Sequence, residues 1–280
     1  MKGHPRNPRA ALSLGMLYLR HGEPKRAGEV ARQLLEWSPE SEQAFNLLGS
    51  AQTAAGEYEA ADRSFDRGIG LNPDSVSLRL NRARLARLDG RLGVARLEYE
   101  ALLQRDAKSV TAMLGLAEVG RIEHNFPETI RWLERAGQTG TSAGVTAAVK
   151  LVEHFIDVKN YDEARTRLSK LEQRHYGDLR VVAINGQLEL ALGNRQQAAD
   201  LFDRLARASG DNIRALVAAS ALQRRARDYQ GARWSLRKAA DLVPTNKDVL
   251  AALVRLEIIV REHDQARARL PQVAALPNGP

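Results

Sequence analysis

The sequence has no cysteine, which excludes disulfides, thiolate metal ligands and cysteine nucleophiles. Aromatic residues fill only 5% of its 280 positions, too few for the successive stacking platforms of a single-stranded nucleic-acid binder. Long apolar runs are also missing. The longest uncharged stretch, Ala136 to Val149, is rich in glycine, threonine and serine. It falls short of the roughly 18 apolar residues that cross a bilayer. Met1 to Arg9 is polar and is not followed by the apolar stretch of a secretory signal. Acidic residues are the minority charge, 34 against 42 basic ones, and the net charge is +8. Arginine supplies 34 of those cations. The excess points to acidic partners: acidic protein, anionic polysaccharide or nucleic acid. An arginine- and alanine-heavy surface is equally what a GC-rich genome writes. With 44% hydrophobic residues the chain has ample material for a core.

That material is periodic. Ala27, Ala61, Ala95, Thr129, Ala164, Ala198, Ala232 and Ala266 recur at intervals of 34 residues, with a single interval of 35 between Thr129 and Ala164. Seven residues after each comes Leu34, Gly68, Leu102, Ala136, Leu171, Leu205, Ala239 or Val273. Twelve before each sits Gly15, Gly49, Ala83, Ala117, Val152, Gly186, Ser220 or Val254. Small residues let paired helices approach, and larger apolar neighbours fill the space between pairs. Residues suited to an N-cap keep the same phase: Asn7, Ser41, Ser75, Ser109, Gly144, Asp178, Asn212 and Asn246. Turn signals recur inside units (Gly22, Gly56, Gly90, Gly193) and between them (Ser38-Pro39, Asn72-Pro73, Val243-Pro244). No window alternates like a strand. The reading is an all-α chain of sixteen helices in eight pairs.

The unit resembles a tetratricopeptide repeat (TPR). The second unit carries the pattern as Phe45, Leu48, Gly49, Gly56, Tyr58, Ala61, Phe65 and Pro73. The first has Leu14, Gly15, Tyr18, Gly22, Ala27 and Pro39, and weaker copies follow, such as Tyr161, Ala164 and Leu168. Charged Arg79 and Arg82 in the third unit and Thr129 in the fourth depart from it. The resemblance runs from about Pro8 to Leu276 and implies a right-handed α-solenoid of about eight helix-turn-helix units. The organisation expected is an extension at 1–7, units one to four over 8–144, units five to eight over 145–276, and a tail at 277–280. The odd interval falls in the glycine-rich stretch Gly137 to Gly144, expected to be the most adjustable junction. Pro271 sits inside the last second helix, where proline is costly. These end features suggest a segment of a longer array, with Met1 to His4 of non-native origin.

No constellation for chemistry emerges, and neither catalytic residues, metal nor cofactor are expected. The six histidines fall at unrelated phases and none is paired at zinc-site spacing. The dipeptides Glu123-His124, Glu153-His154 and Glu262-His263 read as solvated positions. Gly68-Ile69-Gly70 follows a helix and lacks a third glycine, so it is no dinucleotide loop. Trp37, Trp132 and Trp234 read as packing residues of second helices.

In the family, partners lie along a concave groove lined by the first helix of each pair. The family's groove-facing offsets select basic Arg9, Arg20, Arg84, Arg87, Arg121, Lys150, Arg180, Arg214, Arg224, Arg225 and Arg255, against acidic Glu118, Glu153, Asp157 and Asp248. This allocation predicts a basic groove, since a guanidinium donates in a fork to carboxylate or phosphate. Asn46 and Asn81 are candidates to hydrogen-bond an extended peptide backbone. The candidate ligand-binding set is therefore Asn46, Asn81, Arg84, Arg87, Glu118, Arg121, Lys150, Arg180, Arg214, Arg224, Arg225 and Arg255. Leu12 and Met16 stand where the chaperone-tail clamp of some relatives has Lys and Asn, so that clamp is not reproduced. The low-aromatic texture of stretches such as Ala251 to Glu257 resembles bacterial envelope repeat proteins, closest to the repeat lipoprotein of the PEP-CTERM exopolysaccharide and protein-sorting system. That likeness implies a periplasmic, non-catalytic scaffold binding an acidic protein or peptide, or an anionic polysaccharide, rather than nucleic acid. The alternative is a cytoplasmic regulatory module that binds a peptide or effector and controls a fused enzyme or DNA-binding domain.

Overall fold

The structure is a computed structural model in which residues 7–275 are described. Apart from Asn7, the expected extension at 1–7 and the tail at 277–280 lie outside them. Among the described residues there are sixteen helices and no strand: α1 (Pro8–Arg20), α2 (Pro24–Trp37), α3 (Glu42–Ala54), α4 (Tyr58–Leu71), α5 (Val76–Leu88), α6 (Leu92–Arg105), α7 (Val110–Ile122), α8 (Phe126–Gly137), α9 (Ser142–Asp157), α10 (Tyr161–Arg174), α11 (Leu179–Ala191), α12 (Arg195–Ala208), α13 (Ile213–Arg225), α14 (Tyr229–Leu242), α15 (Lys247–Ile259) and α16 (His263–Ala275). They pack as two compact units, one ending at Ala147 within α9 and the other beginning at Ala148.

The repeat phase read from the sequence is the buried phase of both units. All eight residues of the alanine series are buried, with Thr129 at 2% and Ala266 at 3% exposure the least so among them. Small residues twelve positions earlier are explained by what faces them. A methyl group on Gly49 would stand 2.5 Å from the Phe65 ring, and one on Gly186 would stand 2.3 Å from Phe202. Both phenylalanines are fully buried second-helix residues, so close approach of each helix pair depends on the bare glycine.

Each pair closes through one three-residue turn, and all eight turns share a design. The second turn residue is in the left-handed region: Gly22, Gly56, Gly90 and Gly193, but also His124 (φ 56°), Lys159 (φ 59°), Arg227 (φ 65°) and Arg261 (φ 65°). The third turn residue donates its N–H five residues back, as in Glu57 to the Gln52 carbonyl (2.8 Å) and Asp228 to that of Gln223 (2.9 Å). That 6→1 bond with a left-handed residue before it is the Schellman ending of a helix. The same third residue is the N-cap of the following helix; Asn125, Asn160 and Asp228 use their side chains to do so.

Seven of the eight predicted first-helix N-caps stand where the sequence puts them; six accept a backbone N–H through the side chain, while Ser109 does not. Gly144 is the correction. α9 begins three residues earlier and is 16 residues long, while α8 is shortened to 12. The Thr141 hydroxyl, not Gly144, receives the cap bond, from the Gly144 N–H at 3.0 Å. The extra residue of the odd interval is thus absorbed as helix rather than as a longer loop. α16 continues through Pro271, which donates no hydrogen bond to the preceding turn.

The charged departures of the third repeat form a network. Arg82 reaches Asp62 (2.9 Å), Asp66 (3.1 Å) and Glu98 (3.2 Å), and Arg79 joins Glu98 at 2.7 Å. Arg91 also pairs with Asp62, at 2.7 Å. Glu42 ties the second repeat to the third by accepting from Asn72 (2.7 Å), Ser77 (3.3 Å) and Ser75.

Candidate functional site

In the first unit, three first helices bring the predicted residues together. Asn46 on α3 accepts from the Asn81 carboxamide on α5 at 2.8 Å, and Asn81 in turn accepts from Arg84 at 3.3 Å. The two asparagines therefore hold one another. One turn further along α5, Arg87 faces Glu118 of α7 at 3.7 Å. Glu118 also takes a two-pronged bond from Arg121 on its own helix, at 2.7 and 2.8 Å. Arg87 and Arg121 thus share a single carboxylate, and Arg84 stands one turn from Arg87 on α5, bonded to Asn81. Beside them lies Tyr99 of α6, only 3% exposed, its ring seated against the bare α-carbon of Gly115. Burial raises the Tyr99 phenol above its ordinary pKa, opposed by the neighbouring Arg87 and Arg84. The phenol stays protonated at neutral pH.

In the second unit the predicted residues do not form one cluster. Arg180 folds back on Asp178, the N-cap of its own helix α11, at 2.7 and 3.0 Å. That pairing holds the Asp178 carboxyl below the usual range. Lys150, Arg214, Arg225 and Arg255 are exposed and Arg224 is half-buried. Among the described residues none of these five has a carboxylate partner.

Two readings of single residues need correction. His154 is buried rather than solvated. Its phase explains this: the equivalent positions are Leu17, Ala51, Leu85, Val119, Leu188, Leu222 and Leu256, all apolar. Burial lowers the His154 pKa, partly offset by Asp157, so the ring is neutral at neutral pH. Trp234 is the opposite case. It is 38% exposed, with Arg207 5.2 Å and Lys238 5.6 Å from its ring centre. Equivalent positions hold Glu29, Arg63, Leu97, Arg131, Thr166, Asp200 and Ala268, every one of them exposed. The signal was present in the repeat phase, and an aromatic at a solvent phase is what should have drawn notice. Trp37 and Trp132 are partly buried and do pack against the cores of the first unit.

Among the described residues no three His, Asp or Glu side chains converge as metal ligands, and no helix is long and apolar enough to cross a membrane. The site geometry is that of helices presenting polar and cationic side chains from a repeated scaffold. The family model described as tetratricopeptide repeat matches residues 2–44, 46–110 and 149–213, more than half of the chain. The chain belongs to the tetratricopeptide repeat family. TPR relatives by sequence include tetratricopeptide repeat protein 37 of Xenopus laevis, 30% identical over 109 residues, which are 39% of this chain and 7% of the relative. The human superkiller complex protein 3 is 28% identical over a stretch of the same coverage. The matched stretch is thus a small part of these much longer relatives. Among solved structures, yeast Tom70 superposes with a TM-score of 0.67 at 14% identity, over 99% of this chain and 62% of that one. A TPR protein of Parabacteroides merdae gives 0.56 at 15% identity, over 90% and 98%. PilF of Pseudomonas aeruginosa gives 0.54 at 18%, over 71% and 90%. These likenesses share the helix-pair architecture, and membership of the TPR family supports a protein–protein interaction scaffold.

Proposed function

We propose that the chain is a non-catalytic TPR scaffold that binds an acidic segment of a protein partner on the first-helix face of α3, α5 and α7. The run of Arg84 and Arg87 on α5 beside Arg121 and Glu118 on α7 carries this reading. Arg87 and Arg121 meet one carboxylate there, while Arg84 is bonded to Asn81 and not to a carboxylate, so its guanidinium can receive one supplied from outside. The Asn46–Asn81 pair beside it offers amide groups that an extended backbone can exchange into. A bacterial envelope setting, in an exopolysaccharide or protein-sorting system, is supported by the texture of the repeats. PilW, a structural neighbour at a TM-score of 0.54 and 18% identity, is described as a type IV pilus biogenesis factor.

The test is fluorescence anisotropy with a labelled acidic peptide, a uronate oligosaccharide and single-stranded DNA at low and moderate salt. Selective binding of the peptide, lost in Arg84→Glu/Arg87→Glu/Arg121→Glu, is the expected result. Equal weak binding of all three probes, unchanged by the triple variant, would show the charge to be compositional and refute the reading. Fractionation of the source cells with an antibody to the chain tests the envelope setting, which a purely cytoplasmic signal would overturn.

A further inference from the structure

One depression on the second unit is lined by second-helix and turn residues. It has a volume of about 590 Å³ and is formed by the second helices α12 and α14 with the turn before α14. A second depression of about 500 Å³ continues along α14. Trp234 lines both. Six cations and four carboxylates share the two walls. Three of the carboxylates are already engaged: Asp203 by Arg207 at 2.7 Å, Asp228 by the Gly231 N–H at 2.9 Å, and Asp200 by Gln196 at 3.0 Å. On the cationic side, Arg195, Arg227 and Arg237 are exposed and have no carboxylate partner among the described residues. The Trp234 indole N–H likewise has no acceptor among them.

Two details mark the place as more than a gap between helices. Arg227 holds the left-handed turn position (φ 65°) that four other repeats fill with glycine. An arginine is thus kept on this wall against a backbone preference. Next to Gly231, which lines the depression, lies the Gln223 carboxamide, 0% exposed. Its oxygen accepts from Ser235 at 2.7 Å, while its Nε2 has no partner among the described residues. A methyl group on Gly231 would stand 2.7 Å from that nitrogen.

From these observations we infer that the α12–α14 face is a second docking surface, for an acidic, apolar-containing peptide segment of a protein partner. Unpaired guanidinium groups receive its carboxylates, and the Trp234 ring takes an apolar or aromatic side chain between them. An exposed tryptophan flanked by an arginine and a lysine is the composition of an interface anchor rather than of a solvated surface. The surface is separate from the first-helix cluster of the first unit and stands or falls independently of it.

The probe is a fluorescein-labelled Glu-rich peptide with one central Phe, titrated by anisotropy against the full chain. Trp234→Thr is the main variant, because Thr166 occupies the same repeat phase and the helix tolerates it there. Binding is expected to weaken about tenfold in Trp234→Thr and to persist in Arg84→Glu/Arg87→Glu/Arg121→Glu. The exposed pair Arg195→Ala/Arg237→Ala, which leaves the indole in place, is expected to flatten the salt dependence. Unchanged peptide binding in both variants would overturn the inference. So would Trp234-dependent binding of a sulfated oligosaccharide or oligothymidylate as tight as that of the peptide, or concentration-dependent self-association abolished by Trp234→Thr.

Discussion

Replacing Lys159 with glycine should make the protein more stable, although it deletes an entire side chain. Lys159 occupies the left-handed position of its Schellman turn with φ 59°, where Gly56 and Gly193 stand at 79° and 88° in other repeats. A residue with a β-carbon loses about 1–2 kcal/mol in that conformation. Glycine avoids the clash but gives back about 0.5–1 kcal/mol of extra chain entropy on folding. The net gain is about 0.5–1 kcal/mol per site. His124→Gly, Arg227→Gly and Arg261→Gly carry the same expectation, and sites in separate turns without shared partners should add, to about 2–4 kcal/mol for all four. The reverse substitutions isolate the backbone contribution. Nothing lies within 4 Å of a β-carbon built on Gly56 or Gly193, so Gly56→Ala and Gly193→Ala introduce no side-chain clash. Each should lose about 1 kcal/mol through strain alone. Urea unfolding followed by circular dichroism measures both series, fitted with nearest-neighbour coupling because repeats need not unfold in one step. A loss in Lys159→Gly, or no loss in Gly56→Ala, would refute the reasoning. Arg227→Gly adds a functional contrast: a stability gain like that of Lys159→Gly, with weaker acidic-peptide binding at Trp234.

Further outcomes follow from the buried charges. His154→Leu restores the apolar residue of its phase, and its effect is read from the pH dependence of unfolding. The wild-type ring, with its pKa lowered in the folded state, binds its proton more readily when unfolded, so stability falls as pH drops through about 6.5; that slope should shrink in His154→Leu unfolding curves. Arg82→Met removes one cation from a network in which Asp62 keeps Arg91 and Glu98 keeps Arg79, and should destabilise the first unit by about 1 kcal/mol at neutral pH, read from the urea midpoint. Asp62 and Glu128 are pushed up by burial but brought lower overall by Arg91 and Arg82 and by Arg96, while hydrogen bonds from Ser75 lower Glu42. Their stabilisation is complete above the ordinary carboxylate range and is lost as pH falls below about 4, a midpoint shift that Asp62→Asn should diminish. Glu118→Gln releases Arg87 and Arg121 and should tighten binding of an acidic peptide severalfold at low salt in the anisotropy assay.

The helix pairs were legible because their causes are local and repeat. An alanine every 34 residues and a short oxygen side chain before each first helix are properties of single positions, and each recurrence checks the last. Where the pattern broke, local reading failed with it. Gly144 suits a cap by residue type, but Thr141 lies one helical turn earlier with a hydroxyl in reach, and the helix takes the longer path. His124, Lys159, Arg227 and Arg261 give no hint of a left-handed backbone by themselves; only alignment with Gly22 and its equivalents reveals it. The same alignment places His154 among leucines and Trp234 among solvent-facing residues. What no alignment of repeats supplies is the pairing of long side chains across helices, which depends on rotamers and on neighbours from adjacent pairs.

That pairing changes what the basic positions mean. Counted by position, Arg87, Arg121, Arg180 and Arg255 are equal contributors to one charged surface. In the structure, Arg87 and Arg121 share Glu118, and Arg180 is closed on Asp178. Arg255, like Arg195, Arg227 and Arg237, faces solvent without a carboxylate among the described residues. A cation that already has a carboxylate must exchange partners to bind another, so its affinity is a difference between two similar bonds. An unpaired one exchanges only water and counterions, and its contribution is large at low salt and screened as salt rises. The two faces should therefore differ in kind. The α3–α5–α7 cluster is built for selectivity, because only a ligand whose carboxylates fit better than Glu118 displaces it. The α12–α14 face is built for capture, with open guanidinium groups around an exposed indole.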